Sequence, residues 1–197
     1  IRDLLITKIH KKTFFKPLDI DIVTEGSSVD LAKFIKKNIS NVELCLIKEF
    51  EIYDTVELNI NNLKIDIASA RKEKYDAPGL NPIVKHANIK EDLKRRDFSI
   101  NAIAFEFSKQ EIYDFFDGIK HIKEKELHLL HENSIQDDPS RLIRCARYAS
   151  RLGFKISKKS LQQSQKIIQS WPWELIKNDT KSRFPPGISV RIRMELS

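Results

Sequence analysis

The chain has 197 residues, 41% hydrophobic and 32% charged, with 35 Lys and Arg against 28 Asp and Glu. That balance excludes disordered and collagen-like classes, and no apolar run approaches the roughly twenty residues that a membrane span needs. A formal net charge of +7 favours an anionic partner, nucleic acid or nucleotide phosphates, without choosing between them.

Leu4, Leu5 and Ile9 mark a short amphipathic helix over Arg2 to Ile9, and a basic linker follows from His10 to Lys16. Leu18-Asp19-Ile20-Asp21-Ile22 then alternates apolar and acidic residues, the period of a half-buried strand. Leu18, Ile20 and Ile22 face a core on such a strand. Asp19 and Asp21 share the opposite face, about 7 Å apart. Thr24-Glu25-Gly26 turns the chain, and Ser27 or Ser28 caps a helix with Val29, Leu31 or Ala32, Phe34 and Ile35 inside. Val42, Leu44 and Leu46 alternate as a second strand.

Thr55 to Ala68 reads as a hairpin in which Val56, Leu58 and Ile60 answer Leu63, Ile65 and Ile67 across an Asn61-Asn62 turn. In that register Leu58 faces Ile65, and Glu57 faces Asp66. Two like charges across a ladder call for a cation or open solvent. Arg71 to Ala87 is polar, contains Pro78-Gly79 and Pro82, and reads as a mobile loop. Asn88 to Asn101 reads as mostly helical. Ile103, Phe105 and Phe107 alternate as a strand that pairs with Gln110 to Phe115, Asp117-Gly118 turns the chain, and Leu127 to Leu130 suits one more short strand.

Helices dominate from Pro139. Asp138 is placed as an N-cap with Pro139 at the first helical position, Leu142, Ala146, Ala149 and Leu152 as the stripe, and Gly153 as the stop. A second helix runs from about Lys158 to Gln169 and ends before Trp171-Pro172. The sum is an α+β fold: a head with a mixed sheet and flanking helices over residues 1–130, then an α-helical neck over 131–197. Without an initiator methionine, and with patterned segments at both ends, the chain reads as truncated at each. Cys45 and Cys145 are far apart and lack C-x-x-C spacing, which with no signal peptide fits a reduced, cytoplasmic setting. The five histidines show no metal-site spacing, and Trp171 and Trp173 read as packing residues.

Asp19, Asp21 and Asp66 bring carboxylates to neighbouring strands, as a two-metal phosphoryl-transfer centre requires. Guanidiniums from the Lys94-Arg95-Arg96 run supply matching phosphate donors. The same residues also read as a solvated strand face and a solvated basic run. Glu57 reads as structural, and the Arg144, Arg147 and Arg151 ridge as solvated or phosphate-facing. Asp138 reads equally as a plain cap with Arg141 as its ion-pair partner.

The order of motifs resembles the class II tRNA nucleotidyltransferase and bacterial poly(A) polymerase family. Arg2-Asp3-Leu4-Leu5 is similar to the end of its Gly-Gly-x-x-Arg-Asp motif, the glycines falling before the first residue, and Asp19-Ile20-Asp21 is similar to its D-x-D strand. Arg95-Arg96-Asp97-Phe98-Ser99-Ile100-Asn101-Ala102 matches R-R-D-x-x-x-N-A at every fixed position. Asp137-Asp138-Pro139-Ser140-Arg141 resembles E-D-x-x-R with a shorter first carboxylate, and Leu142-Ile143-Arg144 and Arg151-Leu152-Gly153-Phe154 resemble the helix after it.

The resemblance implies a polymerase-beta-like nucleotidyltransferase head. Asp19 and Asp21 would hold Mg2+, with Asp66 as the third catalytic carboxylate. Arg2 would touch the triphosphate, Asp97 would read the ribose 2′-hydroxyl, and Arg96 and Asn101 would support the nucleotide. Asp138 and Arg141 would act as an amino-acid template for the base edge, with Arg144 beside them in the nucleotide-binding set. The implied reaction joins CTP- or ATP-derived nucleotides to the 3′ end of tRNA, as CCA, CC or A, and releases pyrophosphate. Ala70 to Tyr75 with Pro78-Gly79 resembles the tRNA-maturing branch more than the poly(A) branch. A bacterial poly(A) polymerase acting on other RNA 3′ ends, and a non-catalytic RNA-binding relic, are the alternatives.

Overall fold

A computed structural model describes residues 1–11, 19–39, 48–50, 54–60, 63–77, 79–170 and 186–196. Helix α1 (Arg2–Ile9), strand β1 (Asp19–Thr24), helix α2 (Ser28–Asn38) and strands β2 (Lys48–Phe50), β3 (Thr55–Ile60) and β4 (Leu63–Ser69) open the chain. Strands β5 (Arg71–Lys74) and β6 (Ile83–His86) precede helix α3 (Ile89–Lys94) and a single 3-10 turn at Ser99–Asn101. Strands β7 (Ala104–Glu106) and β8 (Glu111–Tyr113), helix α4 (Gly118–Glu124) and strand β9 (Glu126–Leu127) follow. Helices α5 (Ser134–Asp137) and α6 (Ser140–Leu152), strand β10 (Lys155–Ile156) and helices α7 (Lys158–Ser170) and α8 (Pro186–Leu196) complete the order. The fold is α+β, as strand patterns early in the chain and helical ones later predict. Among the described residues no helix is long and apolar enough to cross a membrane.

Two compact units make up the chain: residues 14–73 with 84–92, and residues 1–13, 74–83 and 93–197. The first is built on a four-stranded sheet in the order β1-β4-β3-β2. Strand β1 runs parallel to β4, and β3 antiparallel to it. Val56, Leu58 and Ile67 are fully buried on one face with Ala32 of α2, and Ile22, Val29, Leu31, Ile35 and Ile65 pack around them, whereas Phe34, expected inside, is exposed. Ser27 starts α2 by accepting the Asp30 N–H on its hydroxyl at 3.2 Å, which satisfies one of the helix's open donors.

The second unit closes around Phe98, Ile100, Ile103, Ile122, Leu127 and Cys145. Phe98 has no exposed surface, and burying a side chain of that kind stabilises by roughly 2–3 kcal/mol. Short strands β9 and β10 pair in parallel. Gly118 opens α4 hard against the 3-10 turn: a Cβ there would sit 2.4 Å from the Ser99 carbonyl oxygen. Gly153 ends α6 at φ +69, a left-handed conformation that favours glycine.

Several expectations are corrected. Arg71 to Ala87 is not a loop throughout, because β5 and β6 form a two-stranded ribbon within it. The alternation in β5 is carried by an ion pair, Arg71 Nη2 to Glu73 Oε1 at 3.1 Å, rather than by apolar residues. The helix expected over Asn88 to Asn101 stops at Lys94. Beyond it the Asp97 carboxylate takes the Phe98 N–H at 2.8 Å, and Ser99 N–H donates to the His128 carbonyl at 3.0 Å. Local side-chain bonding and a bridge from Phe98 to Leu129 outcompete helix propagation there. Asp117-Gly118 begins α4 rather than only turning the chain. Pro139 precedes α6 instead of opening it. The strand over Val42 to Ile47, the Asn61-Asn62 turn, Cys45, Trp171 and Trp173 lie outside the described residues.

Candidate functional site

In the sheet unit, the alternation in β1 turns Ile20 and Ile22 toward α2 and leaves Asp19 and Asp21 on the other face, both exposed. Parallel register sets Asp21 beside Asp66 and Asp19 beside Lys64. The antiparallel hairpin sets Glu57 on the far side of Asp66. With adjacent strands about 4.8 Å apart, Asp21, Asp66 and Glu57 form a row across three strands, and Asp19 stands two residues along.

Lys64 joins that row. Its Nζ lies 3.1 Å from Glu57 Oε2 and 3.3 Å from Asp66 Oδ2. The hydrogen bond to Glu57 and then that to Asp66 raise its ammonium above the ordinary range. An acidic face of hard oxygen donors, already drawing in one cation, fits Mg2+. Behind β4 the Ser69 hydroxyl accepts from the Ser28 N–H at 2.9 Å and bonds Asp54, whose backbone is left-handed at φ +45. Burial alone would raise the Asp54 carboxyl, but bonds from Ser69 and Ser28 and the nearby His86 hold it below the usual carboxylate range.

The helical unit gathers the guanidiniums. Asn101 donates to Asp97 Oδ1 at 2.8 Å and accepts from Arg2 Nη1 at 2.6 Å. Arg144 binds Asp97 Oδ2 through Nε at 2.8 Å and Nη2 at 2.7 Å, and reaches Glu195 of α8 through Nη1 at 2.7 Å. Burial opposes the Arg144 charge, but Asp97 and Glu195 hold its proton more tightly than usual. Arg147 pairs with Glu195 at 2.5 Å. Arg2, Arg144 and Arg147 lie 5.0, 5.6 and 5.4 Å from the centroid of the Tyr148 ring, which favours cations over its face. Arg96 donates to the Asn101 carbonyl at 3.2 Å.

Asp138 uses its two oxygens separately. Oδ1 accepts the Ser140 N–H at 3.0 Å, which caps α6, and Oδ2 pairs with Arg191 of α8 at 3.3 Å. The Arg141 side chain is buried, and the residue meets Asp138 through its backbone N–H, which donates to the Asp138 carbonyl at 3.1 Å, rather than through an ion pair. Its Nη1 donates to the Ser134 hydroxyl at 2.8 Å and its Nη2 to the Arg95 carbonyl at 2.7 Å.

Asp19, Asp21 and Asp66 therefore share one face of the sheet unit, while Arg2, Arg96, Asp97, Asn101 and Arg144 form one linked network in the helical unit. Asp138 and Arg141 flank the start of α6. Sequence reasoning missed Lys64, Tyr148, Arg191 and Glu195. A lysine two residues before a strand carboxylate was a readable signal for the first, and the others depend on packing. It also missed that His121, Glu124 and His128 lie together; burial, and His128 alongside, lower the His121 imidazole below its usual range.

The sequence matches the poly(A) polymerase head domain over residues 1–128. It is similar to an A-adding tRNA nucleotidyltransferase of Aquifex aeolicus, 37% identical over 98% of this chain and 22% of that protein. It is also similar to a CC-adding tRNA nucleotidyltransferase of Deinococcus radiodurans, 33% identical over 69% of this chain and 36% of that protein. Among solved structures, an apo CCA-adding enzyme superposes with a TM-score of 0.77 at 32% identity, over 99% of this chain and 42% of the other. A tRNA nucleotidyltransferase complexed with a primer tRNA and an incoming ATP analog gives 0.75 at 29%, over 99% and 49%. The chain thus spans between about a fifth and a half of the lengths of these relatives.

Proposed function

This chain belongs to the poly(A) polymerase head-domain family, and on that premise we propose that it carries the chemistry of a template-independent tRNA nucleotidyltransferase. The reaction is attack of an RNA 3′-hydroxyl on the α-phosphate of CTP or ATP, with pyrophosphate leaving. The observation that carries this reading is the register that sets Asp21 directly beside Asp66 on the polar face of the sheet.

Asp19 and Asp21 would hold Mg2+ there, with Asp66 as the third carboxylate. When bound, the ion lowers the pKa of the attacking hydroxyl and screens the triphosphate. Lys64 holds the Asp66 and Glu57 carboxylates against their mutual repulsion. In the helical unit, Arg144 and Asn101 hold the Asp97 carboxylate, so accepting from a ribose 2′-hydroxyl exchanges one of those bonds for the sugar's. Arg2, steadied by Asn101 and the Tyr148 ring, supplies a guanidinium for phosphate, and Arg96 steadies Asn101 from its carbonyl side.

Asp138 and Arg141 are the base-reading pair in this proposal. Both are engaged, with Ser140 and Arg191 and with Ser134 and Arg95, so reading a base exchanges some of those bonds for bonds to its edge. Fork and carboxylate together present donors and an acceptor, as a Watson–Crick edge requires. The tRNA substrate is supported by relatives that are named for A, CC or CCA addition.

The test offers CTP and ATP separately, with Mg2+, to tRNA lacking its 3′ end and to unrelated RNA. We expect incorporation into tRNA that falls by about 10²–10³-fold in Asp21→Ala, the scale for loss of a group that stabilises transition-state charge. Incorporation that survives Asp21→Ala overturns the metal assignment. Equal use of unrelated RNA overturns the tRNA assignment.

A further inference from the structure

Helix α4 ends, and strand β9 begins, around three donor side chains that the nucleotide chemistry does not use. His121, Glu124 and His128 each offer a ligand atom, and these atoms lie within 4.8 Å of one another. His121 and Glu124 stand three apart on α4, the spacing that places two side chains on one helix face. Lys125, left-handed at φ +56, turns the chain so that His128 returns beneath that face. The two imidazoles stack at 3.7 Å with 12° between their planes.

Each ring already has an outer partner. His121 Nδ1 lies 2.8 Å from the Ser99 hydroxyl, and His128 Nε2 lies 2.9 Å from Glu126 Oε2. Hydrogen bonds of this kind fix the orientation of a metal-ligating imidazole and select the nitrogen it presents. Here they select Nε2 of His121 and Nδ1 of His128. Two imidazole nitrogens and one carboxylate oxygen are the donors of a zinc site with an open position, and softer than the all-oxygen set that suits Mg2+.

We propose that His121, Glu124 and His128 bind a divalent transition-metal ion of the Zn2+ class, at a site sharing no residue with the acidic face of the sheet. Tetrahedral zinc, with bonds near 2.0–2.1 Å, sets neighbouring ligand atoms roughly 3.4 Å apart. The cluster, whose ligand atoms lie within 4.8 Å of one another, therefore closes by up to about 1.4 Å on binding: the rings turn out of their stack and the exposed Glu124 swings in. Ser99 contacts both histidines, its hydroxyl at His121 and its N–H at the His128 carbonyl. An ion there ties α4 and β9 to the turn between Asp97 and Asn101 and braces it.

The experiment titrates metal-stripped protein with Zn2+ by calorimetry in excess Mg2+, which occupies all-oxygen sites, and follows Co2+ substitution by its visible absorption. We expect one Zn2+ per chain, a raised melting temperature, and a Co2+ spectrum of a low-coordinate nitrogen–oxygen site. His121→Gln and His128→Gln should each weaken Zn2+ affinity more than about tenfold. Glu124→Gln lies on the surface, where loss of a core contact is not at issue, and should weaken it several-fold with the melting temperature in Mg2+ alone unchanged. Absence of Zn2+ uptake overturns the proposal, and so does uptake that Glu124→Gln and both histidine variants leave unaltered.

Discussion

Lys64 bridges two members of the acidic row, Glu57 and Asp66, and its loss separates packing from chemistry. Lys64→Met should lower stability in metal-free buffer by about 1 kcal/mol or less, the range for solvent-exposed ion pairs. Added Mg2+ should restore the loss, because the ion takes over the neutralisation. Thermal melts with and without Mg2+ measure this, and a deficit that Mg2+ does not repair argues against an ion on this face. Arg144 is the counterpart in the helical unit, where it neutralises the largely buried Asp97 and Glu195 together. Arg144→Ala leaves Asp97 without its cation while Arg147 still faces Glu195, so it should cost about 3 kcal/mol in urea unfolding, the low end for a broken buried pair. Arg144→Lys should recover only part, since an ammonium lacks the planar fork that Arg144 presents to Asp97 while also reaching Glu195. Motif order singled out the three carboxylates and, separately, Arg2, Asp97, Asn101 and Arg144; the bonds that link the latter set were not legible in it. The engagement of Arg141 with carbonyls was not, because the residue spacing shows only that Asp138 and Arg141 are near in sequence.

At the scale of elements, pattern reading succeeded where the period was apolar. The hairpin register of β3 and β4, the capped α2, the stop of α6 at Gly153 and helix α7 all follow from hydrophobic spacing and cap chemistry. It failed where polar residues carry the period, as in β5, and where a side chain captures the backbone, as Asp97 does after α3. Helix α4 was missed because seven residues give too few turns for a stripe to show. Helix α2 covers the isoleucine face and contributes nothing to the acidic one. Ser27→Ala should therefore cost about 1 kcal/mol through loss of the cap, while Mg2+ affinity by calorimetry stays unchanged. A change in affinity would mean that packing behind the sheet controls the spacing of the carboxylates in front.

For the whole molecule, acid should act in two stages. Burial, with Arg141 and then Lys94 nearby, pushes the His131 imidazole down to about 4 from an ordinary 6.5. The unfolded chain therefore binds a proton at His131 between those values that the folded chain refuses, and stability falls as pH drops from 6.5 toward 4. Asp3 and Asp54 are both held below the ordinary carboxylate value of 3.8. Their contribution is complete above that value and is lost as pH falls through the lower folded values. His131→Gln should reduce the first stage, to which the lowered His121 imidazole also contributes, and leave the second, as seen in melting temperatures across pH 7 to 3. An unchanged slope between 6.5 and 4 would place the acid sensitivity elsewhere.

The pairing of β1 with β4 also limits how this protein can vary in length. Deleting or inserting one residue inside either strand would exchange the two faces, sending aspartates under α2 and isoleucines into water. A change of two would keep the faces but slide Asp66 a full repeat away from Asp21. Length variants that still fold with the acidic row intact should therefore be confined to the connections outside these two strands.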